Sequence, residues 1–296
     1  MPTATPQQAR EAHAQQAALA AAAGLGIQRL LAAGAGWAEI LTEVAGFQLR
    51  AAALAIATVS TRLDRPPLIS PAPFAGVSAL GYPISEPLVA TIDARVPAPV
   101  EALPPPWWDD PTRFQAALAQ LMASEVQDAA RSAGQAEMYA QGQAFYVRIL
   151  VPPSCKRCTV LAGRIYRTDA AFDRHPGCDC TSESCASLQD ALDRGLVVTP
   201  EDAFERGWIR DLTEAEMQAI RDGSDVTTVI NSASGISTAE VFGHRVKVTR
   251  YGTTRRAAWR KRNPSRPVRL RPESIYEIAA DREDALRLLR LYGYLT

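Results

Sequence analysis

All five cysteines of this 296-residue chain lie between Cys155 and Cys185. No other feature limits the fold so sharply, because thiols gathered in one short stretch must be ligated, cross-linked or buried together. The stretch reads SCKRCTVLAGRIYRTDAAFDRHPGCDC: a Cys155-x2-Cys158 pair, a sixteen-residue loop, then His175-x2-Cys178-x-Cys180. Two residues between cysteines let a tight turn aim both sulfurs at one ion, with Zn–S bonds of about 2.3 Å, and a second chelating pair completes a tetrahedron. The expected ligands are Cys155, Cys158, His175 and Cys178, with Cys180 as the alternate to Cys178 and Cys185 as a bystander. Pro176 and Gly177 allow the sharp bend this requires. Four protein ligands leave no position for water, so the expected cofactor is a structural Zn2+. The competing reading is a set of reduced, partly buried thiols beside a surface histidine.

Disulfides are disfavoured because no secretory or membrane segment is expected. The Ala-rich stretch Ala17–Ile27 lacks a basic leader, and Gln28 and Arg29 interrupt it well short of the roughly 20 residues a span needs. A chain made in a cytoplasm keeps its thiols reduced.

The fold class expected is α+β. Residues 1–64 read as a helical region, rich in Ala, Leu, Gln and Glu, with apolar residues at helical spacing through Ile27, Leu30, Leu31 and again Ile40, Leu41, Val44, Phe47. The Gly34-Ala35-Gly36 break predicts two helices. Residues 65–110 form a Pro-rich connector, with a short strand expected at Leu88 to Ile92 and Trp107 and Trp108 near its end. Residues 111–296 form the C-terminal domain, which opens on a helix from Pro111, capped by Asp110, to about Gln143. A strand follows in AFYVRILV (Ala144 to Val151). Short helices are expected at Leu188 to Arg194 and Pro200 to Arg206, and Thr213 to Glu216 is a capping box. Arg245 to Arg250 alternates as a half-exposed strand does, and two helices close the chain, the last ending at Gly293.

Thirty-two basic and thirty-two acidic residues cancel overall. Their distribution does not: acidic residues prevail up to Gln143, whereas His244 to Arg271 holds eleven Lys or Arg and no Asp or Glu. Arg245, Lys247, Arg250, Arg255, Arg256, Arg260, Lys261 and Arg262 are the candidate binding residues, with Tyr251 and Trp259 interleaved. Arginine forks suit phosphates, so double-stranded DNA bound without sequence preference is one expected partner. An acidic protein surface is another, and a solvated loop paired with acidic helices is the plain alternative.

An enzyme is hard to assemble from these residues. Of the three histidines, His13 falls in an Ala/Gln-rich helix near a mobile terminus and His175 is better used on the metal. His244 could meet Ser232 or Ser234, but no motif supports the pairing. H-E-x-x-H is absent, and Glu240 is the nearest candidate for a transferase acid. No catalytic residue is assigned.

The pattern C-x2-C, Leu161-x-Gly163-x2-Tyr166 and His175-Pro176-x-Cys178-x-Cys180 resembles the Mu F-like minor head proteins of tailed phages, in the branch from phages of actinobacteria often labelled MuF-like or capsid maturation protease. Ala219 to Gly223, Val229-Ile230-Asn231, Gly252 to Arg256 and Arg287-Leu288-Leu289-x2-Tyr292-Gly293-Tyr294 look like stretches of the same branch. The likeness covers roughly Gln135 to Thr296; Asp179 departs from it, standing where the family often has a basic residue. It implies a virion protein of the capsid interior, associated with the portal protein and with capsid and scaffold proteins, and in contact with packaged DNA in some members. No membrane partner is implied. Maturation protease and ADP-ribosyltransferase-like activities are the alternatives that the family's label and fold suggest.

Overall fold

The computed structural model describes residues 4–78, 81–85, 111–170, 178, 180–254, 256–265 and 268–295. The expected strand at Leu88 to Ile92, Trp107, Trp108, the Asp110 cap, the His175-Pro176-Gly177 turn, Arg255 and Arg266 lie outside them. The chain is mixed α+β with helices at its N-terminus, and it divides into two compact units. One comprises Met1–Val151 and Gly163–Val197, the other Pro152–Ala162 and Val198–Thr296.

In the first unit, α1 (Pro6–Ala32) and α2 (Trp37–Leu63) are separated at the predicted glycine break. Thr5 caps α1 with a reciprocal capping box to Gln8, a start that the Thr-Pro-Gln-Gln text permits but does not announce. Both helices pack on α3 (Pro111–Ala140), which the composition-based division assigns to the C-terminal domain. The seam is apolar and rich in alanine: Ala20, Ala23, Val44, Ala51, Ala55, Leu118, Met122, Val126 and Ala130 are all nearly inaccessible. By length and composition alone α2 could cross a membrane. Its buried face instead joins this seam and carries Gln48, which donates to the carbonyl of Val77 at 2.8 Å and accepts from Gly76 N at 2.8 Å.

The stretch after α2 is anchored by one acid on α3. The buried Glu137 carboxylate accepts from Ser60 Oγ (2.9 Å), Gln141 Nε2 (2.6 Å) and the backbone amides of Leu68 (3.1 Å) and Ile69 (3.2 Å). Burial raises the pKa of this carboxyl, but the bonds from Gln141, Ser60, Leu68 and Ile69 outweigh it and leave the group below its ordinary range.

A three-stranded antiparallel sheet completes this unit, in the order β3 (Ile165–Arg167), β1 (Phe145–Ile149), β4 (Thr181–Cys185). Strand β1 is covered on both faces. Val147 and Ile149 join Ala9, Cys185, Ala191 and Leu196, while Tyr146 packs with Val59 and Met138 and stacks on Tyr166 at 5.5 Å. By alternation Arg148 shares the Tyr146 face, and it is 1% exposed.

The second unit contains β2 (Ser154–Cys155), paired in parallel with β5 (Ile209–Arg210), and a β6–β7–β8 sheet of Ser237–Val241, His244–Thr249 and Arg269–Leu270. Its core gathers Ala219, Val229, Val246, Leu270, Ile275, Leu289 and Tyr294. The Thr213–Glu216 capping box forms as read, and Glu216, with no exposed surface, also meets Lys156 Nζ at 2.8 Å and Arg271 at 3.5 Å. The closing helix runs Arg282–Leu291 from its Asp281 cap. Gly293 does more than end it: a Cβ there would stand 2.6 Å from Trp259 Cδ1, at a φ of 68° that other residues rarely adopt.

Candidate metal centre

Cys155 and Cys158 are positioned by a short strand and a short helix. Ser154 N donates to the Trp208 carbonyl at 2.8 Å, which ties β2 to its partner and sets the start of the helix Lys156–Val160. Cys155 is the N-cap of that helix, and its sulfur accepts from Cys158 N at 3.4 Å. Cys158 lies on the inner face with no exposed surface.

The second half of the motif enters β4. Cys180 immediately precedes Thr181, the first residue of that strand, and both Cys178 and Cys180 are buried. Cys158 in the second unit and Cys178 and Cys180 in the first are all buried thiols, a donor set able to hold a metal ion. None of the five cysteines is in a disulfide.

Of the expected ligands, Cys158, Cys178 and Cys180 belong to the donor set able to hold a metal ion, with Cys178 and Cys180 both in it rather than as alternates. Cys155 stands outside that group, with its sulfur turned to the helix amide. His175 lies outside the described residues. Cys185 packs in the apolar cluster of Ala9, Val147 and Ile149, and burial pushes its thiol up to about 11, with Asp190 adding to the shift and Arg194 opposing it.

Charged groups surround Cys178. Arg131 donates to its carbonyl oxygen and also meets Asp128 at 3.2 Å, while Arg148 Nη2 lies 3.6 Å from its sulfur. His13 is not on a mobile end, as its position in the sequence suggests, but 6% exposed on the inner face of α1. Burial first, then the charge of Arg131, holds its imidazole down at about 4, so it is neutral at pH 7. Burial pushes the Asp128 carboxyl up to about 6 against the pull of Arg131. Sequence reading passes over Asp128, Arg131 and Arg148 and sets His13 aside. The only signal is an arginine inside the otherwise apolar strand AFYVRILV.

The basic stretch separates into two kinds of side chain. Arg245 and Lys247 lie on the exposed face of β7, alternating with buried Val246 and Val248, and Arg250, Arg256, Lys261 and Arg262 are exposed. Arg260 is half-buried and donates to the Asn263 carbonyl at 3.3 Å. Arg255 lies outside the described residues. Arg269 and Arg271 are internal. Arg269 donates to the carbonyls of Tyr292 (2.8 Å) and Gly293 (2.9 Å), with its guanidinium 4.5 Å from the Tyr294 ring and 5.6 Å from those of Tyr251 and Trp259. The interleaved aromatics therefore hold a buried cation; Trp259 is only 5% exposed.

The remaining candidates for catalysis are dispersed. His244 and Glu240 are exposed on the β6–β7 hairpin, where Glu240 opposes Arg245. Ser232 is buried and donates to the Val229 carbonyl at 2.6 Å, and Ser234 is exposed. No family model matches the chain, and it matches no curated protein and no solved structure.

Proposed function

We propose that this chain is a structural minor head protein of a tailed phage, associated with the portal and capsid interior, in which one structural Zn2+ is held by Cys158, Cys178 and Cys180. The observation that carries the reading is the thiol cluster. Its buried thiols belong to the C-x2-C and C-x-C text on which the family resemblance rests. Cys155 and His175 are the two candidates for the fourth ligand. The hydrogen bond that Cys158 N donates to the Cys155 sulfur is one that stabilises a thiolate. The donors are soft and buried, which suits zinc held for structure. Zinc here would serve structure, and the protein residues would do no chemistry on it.

The exposed side chains of Arg245, Lys247, Arg250, Arg256, Lys261 and Arg262 are free to reach an anionic partner, and packaged double-stranded DNA is the partner this reading favours. A maturation protease or a transferase would need a nucleophile and base in reach of each other. Ser232 spends its hydroxyl on a backbone carbonyl, and no observation favours either enzyme.

The test is the composition and reconstruction of purified particles. The chain is expected inside the head in low copy at the portal vertex. Its absence from particles, or loss of scaffold cleavage when His244 and Ser232 are replaced, would overturn the structural reading.

A further inference from the structure

The turn between β6 and β7 holds a bulky side chain where the backbone suits one poorly. Val241 pairs with His244, so the loop between the strands is Phe242 and Gly243, and both have positive φ, 53° and 78°. That is the type I′ pattern, which matches the twist of the flanking strands and is ordinarily filled by Asn-Gly, Asp-Gly or Gly-Gly. Glycine suits the second place. At the first, an L side chain brings its Cβ close to the following carbonyl oxygen, and bulky residues seldom stand there. Packing offsets little of this, because Phe242 is 62% exposed. Neither the turn nor the core accounts for an aromatic ring at this position, so its use lies with a partner.

The hairpin that carries the ring is firmly seated. At its base Arg250 N donates to the Gly235 carbonyl at 3.2 Å, and Thr249 Oγ1 to that of Ser234 at 2.8 Å. Val246 and Val248 join the core of the second unit, with Ala239 and Val241 packed against it. Strand β8 pairs with β7 only at Val248 and Thr249, which leaves the outer part of the hairpin as a two-stranded ribbon. Register sets the residues of its open face: Thr238 beside Lys247 and Glu240 beside Arg245, all exposed. From Ile236 to Arg250 the cations Arg245, Lys247 and Arg250 stand against a single acid, Glu240. An apolar tip backed by positive charge matches a partner with anionic rims and flat apolar faces between them. Duplex DNA has both, in its phosphates and its stacked bases. The spacing agrees as well. Arg245 is three residues from Phe242, about 10 Å along a strand, and the minor groove is about 7.5 Å deep, so a ring at base level leaves Arg245 and Lys247 near the phosphates.

We propose that the β6–β7 hairpin is a DNA-gripping arm with Phe242 as its wedge: the ring enters the minor groove and lodges against a base step while Arg245 and Lys247 hold the phosphates at the rim. Such a wedge reads no sequence and kinks the duplex. The proposal rests on the DNA reading above and gives that reading its point of contact.

Phe242→Asn separates the wedge from the fold, because Asn is at home in the first place of a type I′ turn. Its melting temperature should equal or exceed that of wild type. Binding of the full chain to a short random-sequence duplex, read by fluorescence anisotropy at several salt concentrations, should weaken about 5- to 100-fold, the range of one lost base–aromatic stack. The salt slope should stay the same, because no phosphate contact is lost. Energy transfer between dyes on the two duplex ends should rise with wild type, as a kink requires, and not with Phe242→Asn; Phe242→Leu, which keeps an apolar wedge, should retain the rise. Equal affinity in wild type and Phe242→Asn, a duplex that stays straight with wild type, or a melting temperature lowered by Phe242→Asn would overturn the proposal while leaving DNA binding in place. Absence of any duplex binding by wild type would instead bring down the DNA reading itself; Phe242-dependent binding to phosphatidylglycerol vesicles in that case would assign the arm to a lipid surface.

Discussion

Replacing Glu137 by Ala would remove the acceptor for four donors at once: Ser60 Oγ, Gln141 Nε2 and the amides of Leu68 and Ile69. Hydrogen bonds to a charged group contribute about 1.5–3 kcal/mol each, and donors left buried without a partner lose more than the bond was worth. The sum is not additive, because Gln141 keeps its bond to the Pro66 carbonyl and water can enter the gap. A loss of about 3–5 kcal/mol is the expected result, near the upper end for single substitutions. At roughly 2–4 °C per kcal/mol for a unit of this size, melting falls by about 6–20 °C. Glu137→Gln keeps the shape and one acceptor oxygen but turns an amide group toward donors, and should lose about 2–3 kcal/mol. The wild-type carboxyl is held below its unfolded value, so its contribution is complete above the unfolded pKa of about 4.3 and fades as pH falls through the folded one. Urea unfolding followed by circular dichroism between pH 3 and pH 7 reads both effects. A midpoint change in Glu137→Ala worth less than about 0.5 kcal/mol, or the same acid sensitivity in Glu137→Gln as in wild type, would refute the account of this anchor.

Metal analysis of the purified chain should find about one zinc, lost with Cys158→Ser, Cys178→Ser or Cys180→Ser and kept with Cys185→Ser. Cys185, buried with a thiol pushed up to about 11, should resist iodoacetamide at pH 8 until the chain unfolds, which peptide mapping would show. Arg269→Met should lower stability by about 3–5 kcal/mol, because the carbonyls of Tyr292 and Gly293 lose a buried charged donor, and thermal unfolding should not recover with Arg269→Lys. Arg245→Glu with Lys247→Glu should flatten the salt dependence of DNA binding by about two phosphate contacts without changing Tm; a slope equal to wild type excludes these side chains from the interface.

Local signals in the text were enough for much of the fold. The glycine break between α1 and α2, the Thr213–Glu216 box, the Asp281 cap and the alternation of β7 each depend on residues within a few positions of one another, and each stands where the sequence put it. Pairings across long separations left no such trace. Glu137 reads as one more polar residue near the end of a helix, and nothing near Leu68 or Ile69 points to it. Arg269 and Arg271 look no different from Arg262 in the sequence. Whether an arginine faces water or a cage of Tyr251, Trp259 and Tyr294 depends on which strand it enters.

The cysteines divide along the same line. Their clustering and the chemistry of thiols determined that this segment is where a soft metal would be held, since all five thiols of the chain lie in it. Which thiols converge was decided only by the tertiary structure. A two-residue spacing permits Cys155 and Cys158 to share an ion, yet the helix that starts at Cys155 directs its sulfur to an amide and turns Cys158 inward. The pairing of β4 with β1 brings Arg148 beside Cys178. Spacing along a chain limits what can meet; the packing of strands and helices selects what does.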